Sequence, residues 1–563
     1  MKLSTLLEAI EPITLSAECI APSAKRNEKE RHVLGAMRSA DLPDSDIPSI
    51  HYRAQEVQPG GIFVAIEGQT ADGHDFMHQA LSLGAAAIIT QKKPSQPFLN
   101  EISAASTKNR PTLIRVTNTR IALADLAAHF FNYPSRDITI VGITGTNGKT
   151  TVAYLIESIL LQAGYKVGVI GTINFRYGGK TFANPMTTPE SLDLQRILAE
   201  MRHDGISHVV AEASSHAMDL YRIKNCWFDV AVFTNLTQDH LDFHSNMQAY
   251  WSSKKKLFTE YLTKGPKKEN ASAVINCDNE KGRELANLLP MSCVKTGSAP
   301  DSDIRSANVR CNLFGTNGKV AAPGGSFNFK TPLVGVHNVE NILSAIGVAS
   351  VLNIATHTIK AGIEALSSIP GRLEPIANST GRFVYVDYAH TPDALANAVS
   401  ALKEIAPARI ICIFGCGGDR DNAKRPLMGE IVARLCDLSI VTSDNPRTEN
   451  PAAIIDQILP GVRQSDGIEY STNDLETGFE EKGYAIEPDR RRAIELGILA
   501  SRPEDAVLIA GKGHETYQIL GTSVVAFDDS EEARKVLDTI SAQSSAPPLV
   551  AGTTSLIAKE TLG

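Results

Sequence analysis

No stretch of this chain approaches the roughly 20 consecutive apolar residues of a membrane-spanning helix, so no membrane span is expected. Met1 to Ile20 lacks the basic start and apolar run of a secretory leader. Cysteine is sparse. The eight thiols, Cys19, Cys226, Cys277, Cys293, Cys311, Cys412, Cys416 and Cys436, are scattered among 563 residues without the CxxC pairs of zinc sites or the density of a disulfide scaffold. A reducing, cytoplasmic setting fits this usage best. The net charge of −8 comes with both signs interspersed and no basic stripe, which argues against a nucleic-acid partner. What is present is a large protein with 43% hydrophobic residues, enough for several cores and, by length, about three or four domains.

The most informative stretch is Ile143-Thr144-Gly145-Thr146-Asn147-Gly148-Lys149-Thr150-Thr151. Ile138, Ile140, Val141 and Ile143 before it read as a buried strand. Val152, Leu155, Ile156, Ile159, Leu160 and Ala163 after it recur at helical spacing, and Gly164 ends the pattern. A glycine turn at a helix N-terminus presents unpaired N–H groups and the positive end of the dipole to an anion. Lys149 can reach the outer phosphates of a nucleoside triphosphate, and the Thr150 hydroxyl can ligate magnesium. The usual glycine six residues before the lysine is replaced by Ile143, with Gly142 and Gly145 flanking it. The same five letters recur at Gly315-Thr316-Asn317-Gly318-Lys319, but Val320 follows and no helix does; this Asn-Gly predicts a hairpin turn and no phosphate site.

Periodicity divides the chain into an α/β protein of three domains. Residues 1–136 alternate short strands (Gly61 to Ile66, Ala86 to Thr90, Thr112 to Val116) with helices near Ala80 and from Thr119 to Phe131, and form a small N-terminal α/β domain. Residues 137–370 form a central parallel sheet of the phosphate-loop NTPase kind, with strands at Val167 to Ile170, His208 to Glu212 and Val230 to Thr234; Lys264 to Gly325 is polar, turn-rich and its weakest part. Residues 371–542 form a Rossmann-like α/β domain with strands at Phe383 to Asp387, Ile410 to Phe414, Leu438 to Thr442 and Val507 to Ala510. Residues 543–563, rich in Ser, Ala, Pro and Thr, predict a disordered tail.

Ligands of parallel sheets bind beyond the carboxyl ends of strands. There the second block places Glu212 and, after Thr234, His240; both could complete a magnesium site with Thr150. Ser245 with Gln248 resembles a capping box, and the following helix lines up Met247, Tyr250, Trp251, Leu257, Phe258, Tyr261 and Leu262. Lys254 falls inside that stripe, whereas Lys255 and Lys256 face solvent. Desolvation favours the neutral amine of Lys254, which can take up carbon dioxide as a carbamate and so become an oxygen ligand for a second cation.

Taken together, these segments resemble the Mur ligase family, whose members add amino acids to the peptide of a bacterial cell-wall precursor at the expense of ATP. The resemblance spans about Val57 to Tyr517 and rests on TGTNGKTT, TTPE, EASSH, FTNLTQDHLDFH, YWSSK, GVHNVEN, GRLE, VDYAHTPDAL, GCGGDRD, SDNPRTENP and GKGHETYQ. It implies that Gly145, Thr146, Asn147, Gly148, Lys149, Thr150 and Thr151 bind ATP, with Asn338, Arg372, Asp387 and His390 along the nucleotide. Thr187, Thr188, Ser214 and Arg222 would hold UDP-N-acetylmuramoyl-L-alanyl-D-glutamate. Lys149, Glu212, His240 and Lys254 would serve catalysis, with Lys254 carbamylated and two magnesium ions held by Thr150, Glu212, His240 and the carbamate. The third block delivers Asp444, Asn445 and Arg447 after one strand and Gly511 and Glu515 after another. With Arg420 they would bind meso-2,6-diaminopimelate, whose extra carboxylate suits an arginine fork. Arg53-Ala54-Gln55 stand where the family writes Asp-Ser-Arg, which removes a serine expected near the uridine diphosphate.

The implied reaction phosphorylates a carboxylate and then captures the acyl phosphate with an amine, the third block closing on the second. A monomer is expected. The alternatives are a lysine-adding relative, a folylpolyglutamate synthetase, a non-catalytic nucleotide-dependent binding protein, and a dinucleotide oxidoreductase on Gly415-Cys416-Gly417-Gly418, which lacks the spaced third glycine.

Overall fold

The structure, a computed structural model, describes residues 1–10, 12–16, 45–68, 71–104, 111–239, 243–405 and 408–545. His240 and most of the expected tail, residues 546–563, lie outside the described residues. The chain divides into two compact units, Met1–Ser367 and Ser368–Gly563.

The first unit carries two sheets. Its N-terminal sheet runs Pro12–Ser16, Thr112–Val116, Ala87–Thr90, Ile62–Val64, Ile50–His51, parallel except at the first pair. Every described strand residue in the middle of this sheet is apolar or a buried threonine apart from Arg115, as strands covered on both faces require. The helix Thr119–Phe130 begins where the Asn118 side chain accepts the N–H groups of Arg120 and Ile121, and it buries Leu123, Leu126 and Ala127 against the sheet.

The second sheet has eleven strands, with Thr139–Thr144 in its interior between His208–Glu212 on one side and Val230–Phe233 on the other. The chain leaves Thr139–Thr144 through the helix Lys149–Gln162, builds Val167–Ile170 and His208–Glu212 on one side, then crosses to Val230–Phe233. That reversal opens a crevice at the carboxyl ends of these strands. The helix buries Val152, Leu155, Ile156, Ile159 and Leu160, at about 1.5–3 kcal/mol for each fully buried large side chain.

Lys264 to Gly325 departs from the expected irregularity. It contains the strands Ser272–Asn276 and Cys293–Gly297 and the helix Glu280–Leu288, and the meander Ile304–Asn312, Gly315–Ala322 and Gly325–Thr331 follows. The Asn317-Gly318 pair is not a hairpin turn. Both residues lie within a strand paired on both sides, Asn317 with Arg310 and Lys330, because Val320 and Phe329 bury their side chains in that register. The turn sits at Leu313-Phe314, where Asn312 accepts the Phe314 N–H at 2.9 Å.

The second unit is built on one sheet ordered Glu374–Pro375, Phe383–Asp387, Ala506–Ala510, Ile410–Phe414, Leu438–Val441, Gly483–Ile486, Ile468–Glu469, parallel except at the first pair. A buried cluster including Val386, Ile413, Ile440, Ile494 and Ile509 packs on it, and the last helix, Asp529–Ser545, adds Ala533 and Leu537.

Candidate active site

Two glycines shape the turn between strand and helix. Gly145 has φ +148°, and a Cβ there would stand 1.9 Å from Thr234 Oγ1; Gly148 has φ +87°, and a Cβ there would stand 2.2 Å from Asn341 Oδ1. No side chain caps the helix at Gly148, and the helix start points its N–H groups and the positive end of its dipole toward the turn. The loop after Val230–Phe233 straps the turn in place. Asn235 accepts Thr146 N through its carbonyl and Asn147 N through Oδ1, both at 2.9 Å, while Thr234 Oγ1 donates to Asn147 O at 2.6 Å. Thr150 and Thr151 are buried in the first helical turn.

Two lysine side-chain nitrogens meet at this turn. Lys149 Nζ donates to Gly145 O at 3.0 Å and Thr146 O at 2.8 Å, and Lys254 Nζ donates to the same Gly145 O at 2.8 Å. Lys254 is 1% exposed and lies 4.3 Å over the Tyr250 ring, whose hydroxyl lies 3.2 Å from Thr146 Oγ1. Burial, reinforced by the charge of Lys149 and opposed by Asp239, holds the Lys254 amine well below the usual lysine range. Its helix, Met247–Lys256, is capped by Asn246, which accepts Ala249 N at 2.9 Å; the expected Ser245 cap is corrected by one residue, since the helix begins at Met247 directly after the extended backbone of Asn246. A π-turn at Leu257–Tyr261 follows and keeps Leu257, Phe258 and Leu262 inward.

Glu212 ends its strand 1% exposed. Its oxygens accept the Thr172 N–H at 3.1 Å and the Thr172 hydroxyl at 2.8 Å, and a Cβ on Gly171 would press within 2.5 Å of Oε1. Thr172 Oγ1 also lies 3.1 Å from Thr187 Oγ1. Thr188 Oγ1 donates to Glu212 O at 2.8 Å and accepts Ser214 N at 3.2 Å, and Arg222 donates to Thr188 O at 3.3 Å. Thr187, Thr188, Ser214 and Arg222 are thus one connected group beside Glu212. Glu190, absent from the sequence-based selection, gathers Arg120 at 2.8 Å and Arg222 at 3.4 Å. Burial draws the Arg222 pKa below the usual guanidinium range despite Glu190.

Asn338 is buried in the helix His337–Val351, donating to Val334 O at 2.7 Å and accepting Asn341 Nδ2 at 3.0 Å; Asn341 in turn borders Gly148. The other residues expected along the nucleotide belong to the second unit. Asp387 ends its strand half-buried, accepting Leu373 N at 2.7 Å and Ala389 N at 2.8 Å; desolvation pushes its carboxyl upward against the Arg372 charge and these two N–H groups. Arg372 stacks 5.0 Å over Tyr388, and His390 Nδ1 donates to Tyr388 O at 2.8 Å.

In that second unit Asp444 and Asn445 follow Leu438–Val441, and Gly511, Lys512 and Glu515 follow Ala506–Ala510. Gly511 has φ +113°, and a Cβ there would stand 2.4 Å from Asp444 Oδ2. Asn445 Nδ2 donates to Glu515 Oε2 at 2.7 Å. Arg447 sits at φ +51° with one nitrogen donating to Gly418 O at 2.8 Å. Arg420 is exposed and donates to Asp419 O at 2.9 Å. Beneath these loops the fully buried Arg425 grips both oxygens of Glu449 at 2.9 Å and reaches Gln457 and Gly417 O. Arg425 first, then the Asp419 N–H, lowers the Glu449 carboxyl to about 2.

Among the described residues no three His, Cys, Asp or Glu side chains gather as a metal cage, and no helix is long and apolar enough to cross a membrane. The chemistry of the donors still suits magnesium, which takes few protein oxygens and completes its shell with phosphate and water. The Thr150 hydroxyl and the buried Glu212 carboxylate are such oxygens.

Residues 46–131 match the catalytic domain of the Mur ligase family, residues 143–349 the Mur ligase middle domain, and residues 371–513 the Mur ligase glutamate ligase domain. The chain is 45% identical over 487 residues to a UDP-N-acetylmuramoyl-L-alanyl-D-glutamate–2,6-diaminopimelate ligase of Geobacter metallireducens, covering 86% of this chain and 93% of that one. It is 43% identical over 488 residues to the enzyme of the same name from Geobacter sulfurreducens, covering 87% and 94%. A solved structure of a ligase of that name is similar with a TM-score of 0.60 at 29% identity, over 89% of this chain and 96% of the other.

Proposed function

The chain belongs to the Mur ligase family, and on that premise we propose that it joins meso-2,6-diaminopimelate to UDP-N-acetylmuramoyl-L-alanyl-D-glutamate in peptidoglycan precursor synthesis. It is an ATP-dependent, ADP-forming ligase. The observation that supports the reading best is the crowding of Lys149, Lys254 and the uncapped helix start around Gly145, beside Glu212 and the Thr187–Arg222 group. The terminal carboxylate of the UDP-linked dipeptide attacks the γ-phosphorus of ATP, giving an acyl phosphate and ADP. The amine of diaminopimelate then attacks the acyl carbon, phosphate leaves with the bridging oxygen, and the amine loses a proton.

Two anions must approach one another in the first step, so positive charge fixed beforehand around the phosphates lowers the barrier. Lys149 supplies that charge with the N–H groups of the helix start. Thr172 and Thr187 orient the acceptor side through hydroxyls. Magnesium, when bound, neutralises phosphate charge; Thr150, Glu212, His240 and Lys254 as a carbamate would hold it. The depressed basicity of Lys254 supports carbamylation, because only a neutral amine adds to carbon dioxide. Isotope-labelled bicarbonate should give a protein carbamate signal that Lys254→Ala abolishes, and its absence from active enzyme would remove the modification from the mechanism. Arg447 and Glu515 carry the preference for diaminopimelate over lysine. A panel of amino acids supplied with ATP, magnesium and the UDP-dipeptide tests the function, the product being identified by mass. Diaminopimelate should be joined. Exclusive use of lysine would transfer the chain to the lysine-adding relatives.

A further inference from the structure

The loop after Ala506–Ala510 contains a charged side chain that the sequence reading assigns no role. Lys512 is fully buried, with no exposed side-chain surface. Its ammonium donates to Asn445 Oδ1 at 3.1 Å and to Glu515 Oε2 at 3.1 Å, and lies 5.6 Å over the Tyr517 ring. Asn445 is fixed by the same contacts. Its Oδ1 faces two donors, Lys512 and Ile519 N at 3.0 Å, so its Nδ2 must turn to Glu515 Oε2 at 2.7 Å. Lys512 and Asn445 therefore both spend Oε2 of Glu515 and leave Oε1 to a ligand.

An unpaired ammonium inside a protein is costly, so Lys512 depends on Glu515 and Asn445 for its partners and in turn fixes where both point. The arrangement leaves Glu515 Oε1 turned away from both, and Arg447, two residues beyond Asn445, gives one guanidinium donor to Gly418 O and keeps its others. We propose that Lys512 is a positioning and specificity-determining residue, holding Glu515 turned toward the ligand's distal ammonium and offsetting its charge so that an amine alone is poorly bound. A side chain ending in both ammonium and carboxylate meets Glu515 and Arg447 together. One ending only in ammonium adds a positive charge at Glu515, which Lys512 already offsets, and brings no carboxylate for Arg447. The inference rests on the reading of this pocket as the diaminopimelate site.

The test compares wild type with Lys512→Met and with Lys512→Gln, which keeps a donor toward Asn445 should the methionine variant fail to fold. KM for diaminopimelate should rise by roughly ten- to a hundredfold, with KM for ATP and for the UDP-dipeptide unchanged, and the kcat/KM ratio of diaminopimelate to lysine should fall. Combined with Glu515→Gln, the loss should be no larger than that of the worse single variant, since the two side chains act as a unit. An unchanged diaminopimelate KM, a parallel rise for all three substrates, or additive losses would overturn the inference. If wild type itself fails to join diaminopimelate, it is the functional reading that falls.

Discussion

Two copies of one pentapeptide provide an internal control for the phosphate loop. Gly148 and Gly318 occupy equivalent places in Gly-Thr-Asn-Gly-Lys, yet only Gly148 has positive φ, +87°, with a prospective Cβ 2.2 Å from Asn341 Oδ1. A Cβ at Gly318 would meet the edge of the Phe329 ring at 3.1 Å, a contact that a small ring displacement relieves. Gly148→Ala therefore carries about 1–2 kcal/mol for the left-handed backbone and about 1–3 kcal/mol for overpacking against the helix that carries Asn338 and Asn341. The loop can escape both by swinging away from the helix start, but ATP needs it in place. Most of the sum, about 2–5 kcal/mol, should thus appear as weaker ATP binding, roughly 30- to several-thousand-fold. Isothermal titration of each alanine variant with ATP and magnesium reads this directly. Gly318→Ala should bind as wild type does. Equal affinities for the two variants would refute the assignment of the phosphate site to the first copy.

Thr172→Val removes the hydroxyl between Glu212 and Thr187; manganese affinity measured by electron paramagnetic resonance, and KM for the UDP-dipeptide, should both weaken, while Thr172→Ser preserves them. Arg447→Ala should weaken use of diaminopimelate by about 2–5 kcal/mol, because its truncation leaves the ligand carboxylate unpaired; an unchanged KM and turnover would defeat that role. Arg425 lowers Glu449 to about 2 from the ordinary 4.5, so this pair's stabilisation is fully present above pH 4.5 and is lost as pH falls through about 2. Denaturant midpoints of wild type and Glu449→Gln should accordingly converge on acidification, and a gap that stays constant down to that pH would exclude the linkage.

How much of this was legible follows from how local each signal is. The strand, the glycine turn and the helix at 139–162 are contiguous, so phosphate-binding geometry could be read along the chain, as could the residues delivered after strands at Glu212, Asp444 and Gly511, whereas Asp387 came only with the family resemblance. Lys254 was readable because helical spacing alone puts it on the buried stripe. Asn317-Gly318 misled because pairing on two sides overrides a dipeptide's preference for turns. Glu190 and Lys512 lie inside quoted motifs that give them no role of their own, and Thr172 and Arg425 carry no local signal. Each acquires its role from partners far away in sequence or from the depth of its pocket, and a lone lysine or arginine ordinarily belongs to the surface. Sheet order was also out of reach, since the crossover placing Thr139–Thr144 between two later strands is a property of the whole domain.

The account stands on a carboxylate that is phosphorylated before it is joined to an amine, and the fate of one oxygen atom tests that step. UDP-dipeptide carrying heavy oxygen in its terminal carboxylate is turned over with ATP and diaminopimelate, and the released phosphate is analysed by mass spectrometry. The account predicts that phosphate acquires one heavy oxygen atom for each amide formed. Unlabelled phosphate accompanying full amide formation would contradict it.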